Sequence, residues 1–461
     1  MTTARRLAHS GAFWILLCYG VTLPLFFRPV LHGVDPVGYF VWLRSAVVDH
    51  NLDVANEFED LGIYRDFNYQ NITLPTGYRY NQWSSGPALL WTPAYAPVHA
   101  LLTGLHAAGV PVAPDGYGVP YTLATAFATT LYGLAGIFLL FRVARKYTGE
   151  LPAALGVITV WLASPLLFYM YSSPFMSHTL DFFVNALFLW TWEQTRPAAR
   201  WTGWVRRGAA LGLAIVIRVQ NVFLIVIPAV YLIWQLFQHA TPMRSRLLHL
   251  LSHGVAFSGG LMLFVGPLML FWKTVYGSWI YNTYAITNQL DGIHADFLRP
   301  HLWQLAFSND HGLFFWSPVL LVALVGMVVA WRTDHELSAV ILGAAILHFY
   351  FVSSLTTWNG GGPSFGARLL SGSLPYYAVG MAFAVAALHR WIRLRYLAIL
   401  CGVFVLWNML LLVQYALGSI PRGADRPAAT DRRPISGDPG QLAAHHRCVT
   451  STHCTIAPVM R

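Results

Sequence analysis

Gly86-Pro87-Ala88-Leu89-Leu90-Trp91-Thr92-Pro93-Ala94-Tyr95-Ala96-Pro97-Val98-His99-Ala100-Leu101-Leu102-Thr103-Gly104-Leu105 is apolar and long enough to cross a bilayer, which takes about 20 residues. Whether it crosses sets the orientation of every later segment. If it crosses, the loop with Arg142, Arg145 and Lys146 moves outside, and so do the later Arg-rich loops. If it lies in the interface, those loops stay cytoplasmic, around Arg196, Arg200, Arg206, Arg207, Arg244, Arg246, Arg332, Arg390, Arg393 and Arg395. The short outer loops then keep Arg218 and Arg368. Cytoplasmic loops carry the excess of Lys and Arg. The three prolines, Pro87, Pro93 and Pro97, also sit awkwardly in a span. Residues 86–105 are therefore expected to form a surface helix on the outer side.

Outward from this stretch the chain reads as an all-α polytopic membrane protein. It has 461 residues, 56% hydrophobic and 10% charged, where soluble proteins carry about 25% charged residues. Eleven spans are expected, at about 11–30, 118–141, 151–171, 177–195, 207–220, 221–237, 250–272, 312–331, 335–353, 369–388 and 395–417. Arg218-Val219-Gln220-Asn221 interrupts the run over 207–237, which is otherwise readable as one long helix. Residues 1–417 form one transmembrane domain. Residues 31–117 are a long first outer loop with two surface helices, 273–311 a second outer loop, and 418–461 a flexible tail outside the cytoplasm.

The net charge is +10, and the 18 Trp and 22 Tyr suit aromatic belts at the two interfaces. The basic residues alternate with hydrophobic segments, which argues against nucleic acid and for anionic lipid headgroups at the cytoplasmic face. Met1–Ser10, with Arg5 and Arg6, precedes an apolar run without a small-residue cleavage site, so this start reads as a signal anchor. Cys18 and Cys401 fall in spans as packing residues. Cys448 and Cys454 fall in the tail, either paired or as free thiols. No Cys/His spacing resembles a zinc site. Asn71-Ile72-Thr73 matches a glycosylation triplet, a pattern common by chance.

His32–Trp83 concentrates the early acids, and chemistry is expected there. Asp35-Pro36 opens a helical pattern with Val37, Phe40, Val41, Val47 and Val48. Asp35 reads as the N-cap of an amphipathic interfacial helix, or as a base taking a proton from an acceptor hydroxyl. Glu57 is the second acid of interest in that loop. His178 and Asp181 stand three apart on one helix face, either as packing residues or facing a cavity. Arg218 interrupts an apolar run. Arg368 follows Gly360-Gly361-Gly362-Pro363, a run that lets backbone N–H groups approach a ligand. Either arginine can grip a phosphate with two parallel hydrogen bonds or bind lipid phosphate at the surface.

The order of these features resembles the GT-C superfamily of membrane glycosyltransferases. Within it the chain is similar to the protein O-mannosyltransferase-like branch, to which the aminoarabinose transferase of lipid A is related. The features are a first span, an acid soon after it, Gly86–Pro93, Asp181, Gly212-Leu213-Ala214 before Arg218, Trp316-Ser317-Pro318, and Ser364–Arg368 before a span. The resemblance implies a GT-C-like bundle and an inverting transferase. The donor would be a polyprenyl-phosphate sugar and the acceptor a hydroxyl of protein, lipid or glycan. The work would be done on the periplasmic face of a bacterial inner membrane. It implies Asp35 as the base; Glu57 and Asp181, read from the residues themselves, are the other catalytic candidates should Asp35 only cap its helix. Relatives often carry two adjacent acids where this chain has Asp35-Pro36. Some carry a Lys where it has Gln82-Trp83-Ser84-Ser85. The donor-phosphate role then passes to Arg368, Arg218, Arg79, Lys273 or His178. A phosphodiester leaving group needs less help from a metal than a pyrophosphate, so no obligatory metal or cofactor is expected beyond the donor lipid. Two other classes remain open: a lipid-linked-sugar flippase and an O-antigen polymerase or ligase. Transporters place polar groups near mid-membrane, whereas here they gather at one face.

This topology is testable by cysteine labelling from outside. Cysteines at Ser84 and Asp115 should both react. Labelling of position 115 only from the cytoplasm would invert the scheme.

Overall fold

The computed structural model describes residues 10–62, 71–196, 200–238, 242–361 and 364–420. Arg5, Arg6, Arg65, Asp66, Gly362, Pro363, Cys448 and Cys454 lie outside them. The described chain is helical, with β pairing confined to two isolated bridges. In order the helices are α1 Gly11–Phe26, α2 Val34–Arg44, α3 Ala55–Asp60, α4 Gly86–Ala107, α5 Val119–Thr148 and α6 Glu150–Leu162. Then come α7 His178–Thr195, α8 Trp201–Ile217, α9 Val226–Gln238, α10 Met243–Tyr276, α11 Ala285–Asp291 and α12 Leu302–Phe307. The last are α13 Leu313–Trp316, α14 Val319–Ala330, α15 His335–Ser353, α16 Leu374–His389 and α17 Leu394–Ala416.

Six helical stretches among the described residues are long and apolar enough to cross a bilayer: Val119–Thr148, Val219–Phe237, Met243–Tyr276, His335–Ser353, Arg368–His389 and Leu394–Ala416. The shorter α1, α6 and α14 are also apolar. The stretch read as one span over 312–331 divides into α13 and α14. Pro318 supplies no N–H to continue the ladder and its ring crowds the preceding turn. The run over 207–237 does break, at Arg218, whose backbone is extended (φ −143°, ψ 115°).

Two expectations fail at the helix that carries Asp35. The N-cap of α2 is Gly33, with φ 92°, and no side chain caps the helix. Asp35 lies inside the first turn, because the left-handed Gly33 starts the helix two residues earlier. Nor does α2 lie amphipathically on the surface: Pro36 through Arg44 are all buried. Helices and loops cover every side of it, so the helical spacing of Val37, Phe40 and Val41 marks only part of a fully enclosed helix.

The helices approach closely where side chains vanish, as packing in lipid requires. A Cβ on Gly326 of α14 would fall 1.9 Å from Gly380 O of α16, and one on Gly260 of α10 2.0 Å from Val205 O of α8. At the far end of α7 from Asp181, charges pair internally. Arg196 binds Glu193 (2.8 Å), Asp334 (2.7 Å) and Glu336 (3.2 Å). Arg207 is buried against Trp192 and Trp204, its guanidinium 4.3 and 4.6 Å from their ring centres. These two arginines thus serve helix packing, where the sequence suggested lipid headgroups.

Gly326→Val should cost about 1–3 kcal/mol or more through overpacking. Gly343→Ala, with nothing within 4 Å of its Cβ, should be stabilising by about 0.5–1 kcal/mol, since Gly weakens a helix interior relative to Ala. Thermal melts in detergent distinguish the two.

Candidate active site

Asp35 and Arg368 stand 333 residues apart in the chain and meet in space. Arg368 Nη1 donates to Asp35 Oδ2 at 2.8 Å, and Trp83 Nε1 donates to Oδ1 at 3.1 Å. Each carboxylate oxygen keeps a lone pair open. The Asp35 side chain is 32% exposed and that of Arg368 13%, so the acid can meet a ligand while its partner is sheltered. Trp83 is held by its surroundings. Its ring lies so close over Gly38 that a Cβ there would come within 2.0 Å. Its carbonyl accepts from Trp42 Nε1 at 2.8 Å, and its N–H donates to Asn81 Oδ1.

The glycine run acts differently from the expectation. Gly360 and Gly361 both have positive φ, 88° and 58°, which turns their carbonyls toward Arg368. Arg368 Nη2 donates to Gly360 O at 2.7 Å and Gly361 O at 3.3 Å. The peptide oxygens orient the guanidinium; the N–H of Gly361 goes to Asn359 Oδ1. The buried Nε–H of Arg368 has no acceptor among the described residues.

A second cluster gathers Arg218, His178 and Asp181. Arg218 Nη1 contacts His178 Nδ1 at 3.0 Å, and its Nε lies 3.7 Å from Asp181 Oδ2. An arginine offers only donors, so His178 Nδ1 accepts and the ring proton sits on Nε2. Asp181 is fully buried. Its Oδ1 accepts from Asn221 Nδ2 (2.8 Å) and Asn185 Nδ2 (3.0 Å). Asn221 Oδ1 faces His348 Nε2 at 3.1 Å, and Asn185 Oδ1 accepts from Tyr376 OH at 2.9 Å. Gln220 links the clusters: it accepts from Arg218 Nη2 at 3.2 Å and donates to Leu369 O, next to Arg368, at 3.2 Å.

The other candidates sit elsewhere. Glu57 is fully buried and accepts from Arg44 Nη1 at 3.0 Å. Arg44 also pairs with Asp49 and stacks on Tyr117, so this cluster braces the far end of α2. Arg79 Nη1 donates to Asn71 O at 2.7 Å, and Lys273 Nζ to Gly277 O at 2.9 Å at the end of α10. Among the described residues no group of three or more His, Cys, Asp and Glu converges to hold a metal. Reading the sequence missed Trp83, Gln220, Asn221, Asn185 and His348. Asn185, four residues after Asp181, and His348 in an apolar run were visible as polar groups within spans.

Residues 120–264 match the family model described as dolichyl-phosphate-mannose-protein mannosyltransferase. That stretch carries His178, Asp181 and Arg218. The chain is similar to two crystal structures of ArnT from Cupriavidus metallidurans, one bound to undecaprenyl phosphate and one in the apo state. Identity is 15% and 16%, with TM-scores of 0.47 and 0.46. In both cases 89% of this chain is covered, and it spans 64% of the other chain's length. No curated protein sequence matches the chain.

Burial pushes the Glu57 carboxyl up to about 7 from an ordinary value of 4.5, against the pull of Arg44. Between those values the unfolded chain releases a proton that the folded one keeps. Stability should therefore fall as pH rises from about 4.5 to 7 and level off above, by up to about 3 kcal/mol. Melting Glu57→Gln across this range should remove the slope, since Gln cannot titrate and still accepts from Arg44.

Proposed function

We propose that the protein transfers a sugar from a polyprenyl-phosphate donor to an acceptor hydroxyl with inversion. The observation that carries this reading is the Asp35 carboxylate fixed beside the Arg368 guanidinium, whose buried Nε–H has no acceptor among the described residues. A base and a buried cation side by side match the two charge movements of the reaction. The family match supports the same donor chemistry, since its description names a sugar carried on a polyprenyl-type phosphate.

The acceptor O–H gives its proton to Asp35 as the oxygen attacks the anomeric carbon. The bond from that carbon to the phosphate oxygen breaks, and polyprenyl phosphate leaves with one more negative charge. Arg368 takes up that charge. A preorganised donor in a sheltered site stabilises developing charge at little reorganisation cost. Arg218 contributes a second cation from the adjoining cluster. Asp181 and His178 act on Arg218 as positioning groups. Asp181 is enclosed by Asn185, Asn221 and Arg218 and offers no route for an acceptor. Glu57 serves to hold α2. Arg79 and Lys273 are bound to backbone carbonyls away from Asp35.

Asp35→Asn should still fold, because its amide oxygen can accept from Arg368, but should melt lower than the native protein because Arg368 loses its counter-charge, and it should lower single-turnover transfer from a labelled polyprenyl-phosphate sugar by about 10²–10⁴-fold. Arg368→Ala should weaken donor use strongly. Arg368→Lys should recover only part of it, because lysine keeps the charge and loses the planar fork. Near-native transfer by Asp35→Asn would remove it as the base.

A further inference from the structure

The segment between α10 and α13 is fastened to the site on one side and bare on the other. Tyr276 OH donates to Asn81 O at 2.5 Å, Tyr80 OH donates to Thr283 O at 2.6 Å, and Thr287 Oγ1 bonds Gln82. These contacts grip residues 80–82, immediately before the Trp83 that holds Asp35. Several large apolar side chains of this segment are exposed. Leu298 is 93% exposed, Ile280 76% and Trp303 72%, with Trp279 and Leu290 also exposed. Side chains of this kind rarely face water together.

The bare side continues a surface of α15. Ile346 and Tyr350, four apart on that helix, are exposed. Asp296 N–H and His301 N–H donate to Ser354 O (2.7 Å) and Ser353 O (2.6 Å), and Tyr350 OH donates to Phe297 O (2.6 Å). The loop is thus pinned on the end of α15, with Phe297 and Leu298 adjoining its exposed stripe. Arg299 is exposed and follows Leu298 directly. α15 is long and apolar enough to cross a bilayer, so its exposed stripe faces acyl chains, and the loop adjoining it stands at headgroup level. Trp and Leu beside a cation suit that layer, where aromatic rings settle and arginine reaches phosphate.

We propose that this loop is a membrane-docking surface: Leu298 and Trp303 enter the acyl boundary of the leaflet at the Asp35 end, and Arg299 binds a phospholipid phosphate. The lipid surface then seats the loop that grips residues 80–82 beside Trp83 and Asp35. The proposal does not rest on the transfer reading.

The test places a photoreactive p-benzoylphenylalanine at Leu298 or Trp303 of the full chain in nanodiscs of phosphatidylethanolamine and phosphatidylglycerol. Both positions are exposed, so the larger side chain displaces little packing. Exposed Glu59 of α3 serves as the aqueous control. After irradiation, intact-mass analysis should find phospholipid adducts at 298 and 303 and none at 59. Absence of lipid adducts at 298 and 303 would overturn the proposal, as would equal yield at 59. Cross-links to a second copy of the chain in place of lipid would make this face a protein contact and overturn it too.

Discussion

A carboxyl inside an apolar helical bundle must find donors, and Asp181 organises much of this molecule by that need. An unsatisfied buried polar group costs about 1–3 kcal/mol, and a buried charge stripped of its partner about 3–5 kcal/mol. Asp181 draws Asn185 from its own helix, Asn221 and Arg218 from beyond α8. Meeting it requires α8 to stop. Side chains cover the end of the helix: Ser84 Oγ donates to Val216 O at 2.7 Å, and Ala214 O, which already accepts from the Arg218 N–H, also accepts from Asn221 Nδ2 at 2.8 Å. The broken helix, the buried acid and the start of α4 are therefore one solution to one problem.

The same chain of contacts carries position outward. Gln220 passes from Arg218 to the backbone beside Arg368. Arg368 is then fixed from two directions, by Asp35 and by the carbonyls of Gly360 and Gly361. The loop that presents those carbonyls is itself tied down. His311 Nε2 lies 2.8 Å from Ser364 O and stacks on Trp316, while Asn359 Nδ2 donates to Asp310 at 3.1 Å. His311 holds φ 66°, a costly conformation for a residue with a Cβ. Strain of this kind persists only where neighbours over-determine the backbone, as they do here.

Opposite roles fall to the two ends of α7. At one end acids and arginines meet near the partly open Asp35. At the other, Arg196 and Arg207 are consumed by Glu193, Asp334, Glu336 and indole rings. A guanidinium that ends against carboxylates or aromatic faces has little left for a ligand. Arg368 also meets a carboxylate, but its buried Nε–H has no acceptor among the described residues.

Hydrophobic runs and their lengths placed most of the long helices, because a membrane admits few other structures, but not their ends: the run over 151–171 stops as an α-helix at Leu162 and that over 312–331 divides at Pro318. The Arg218 interruption was legible for the same reason: a cation in an apolar run demands a special environment. His178 and Asp181 were legible as one face by helical spacing. The sequence could not decide what Asp35 does at its helix. Asp-Pro reads equally as a cap, and only the left-handed Gly33 moves the cap away and frees the carboxylate. Nor could it pair Asp35 with Arg368. Their meeting depends on α2 being buried whole, on Trp83 lying flat over Gly38, and on two glycine carbonyls turned by positive φ. Each is a contact between distant segments, and local spacing carries no record of them.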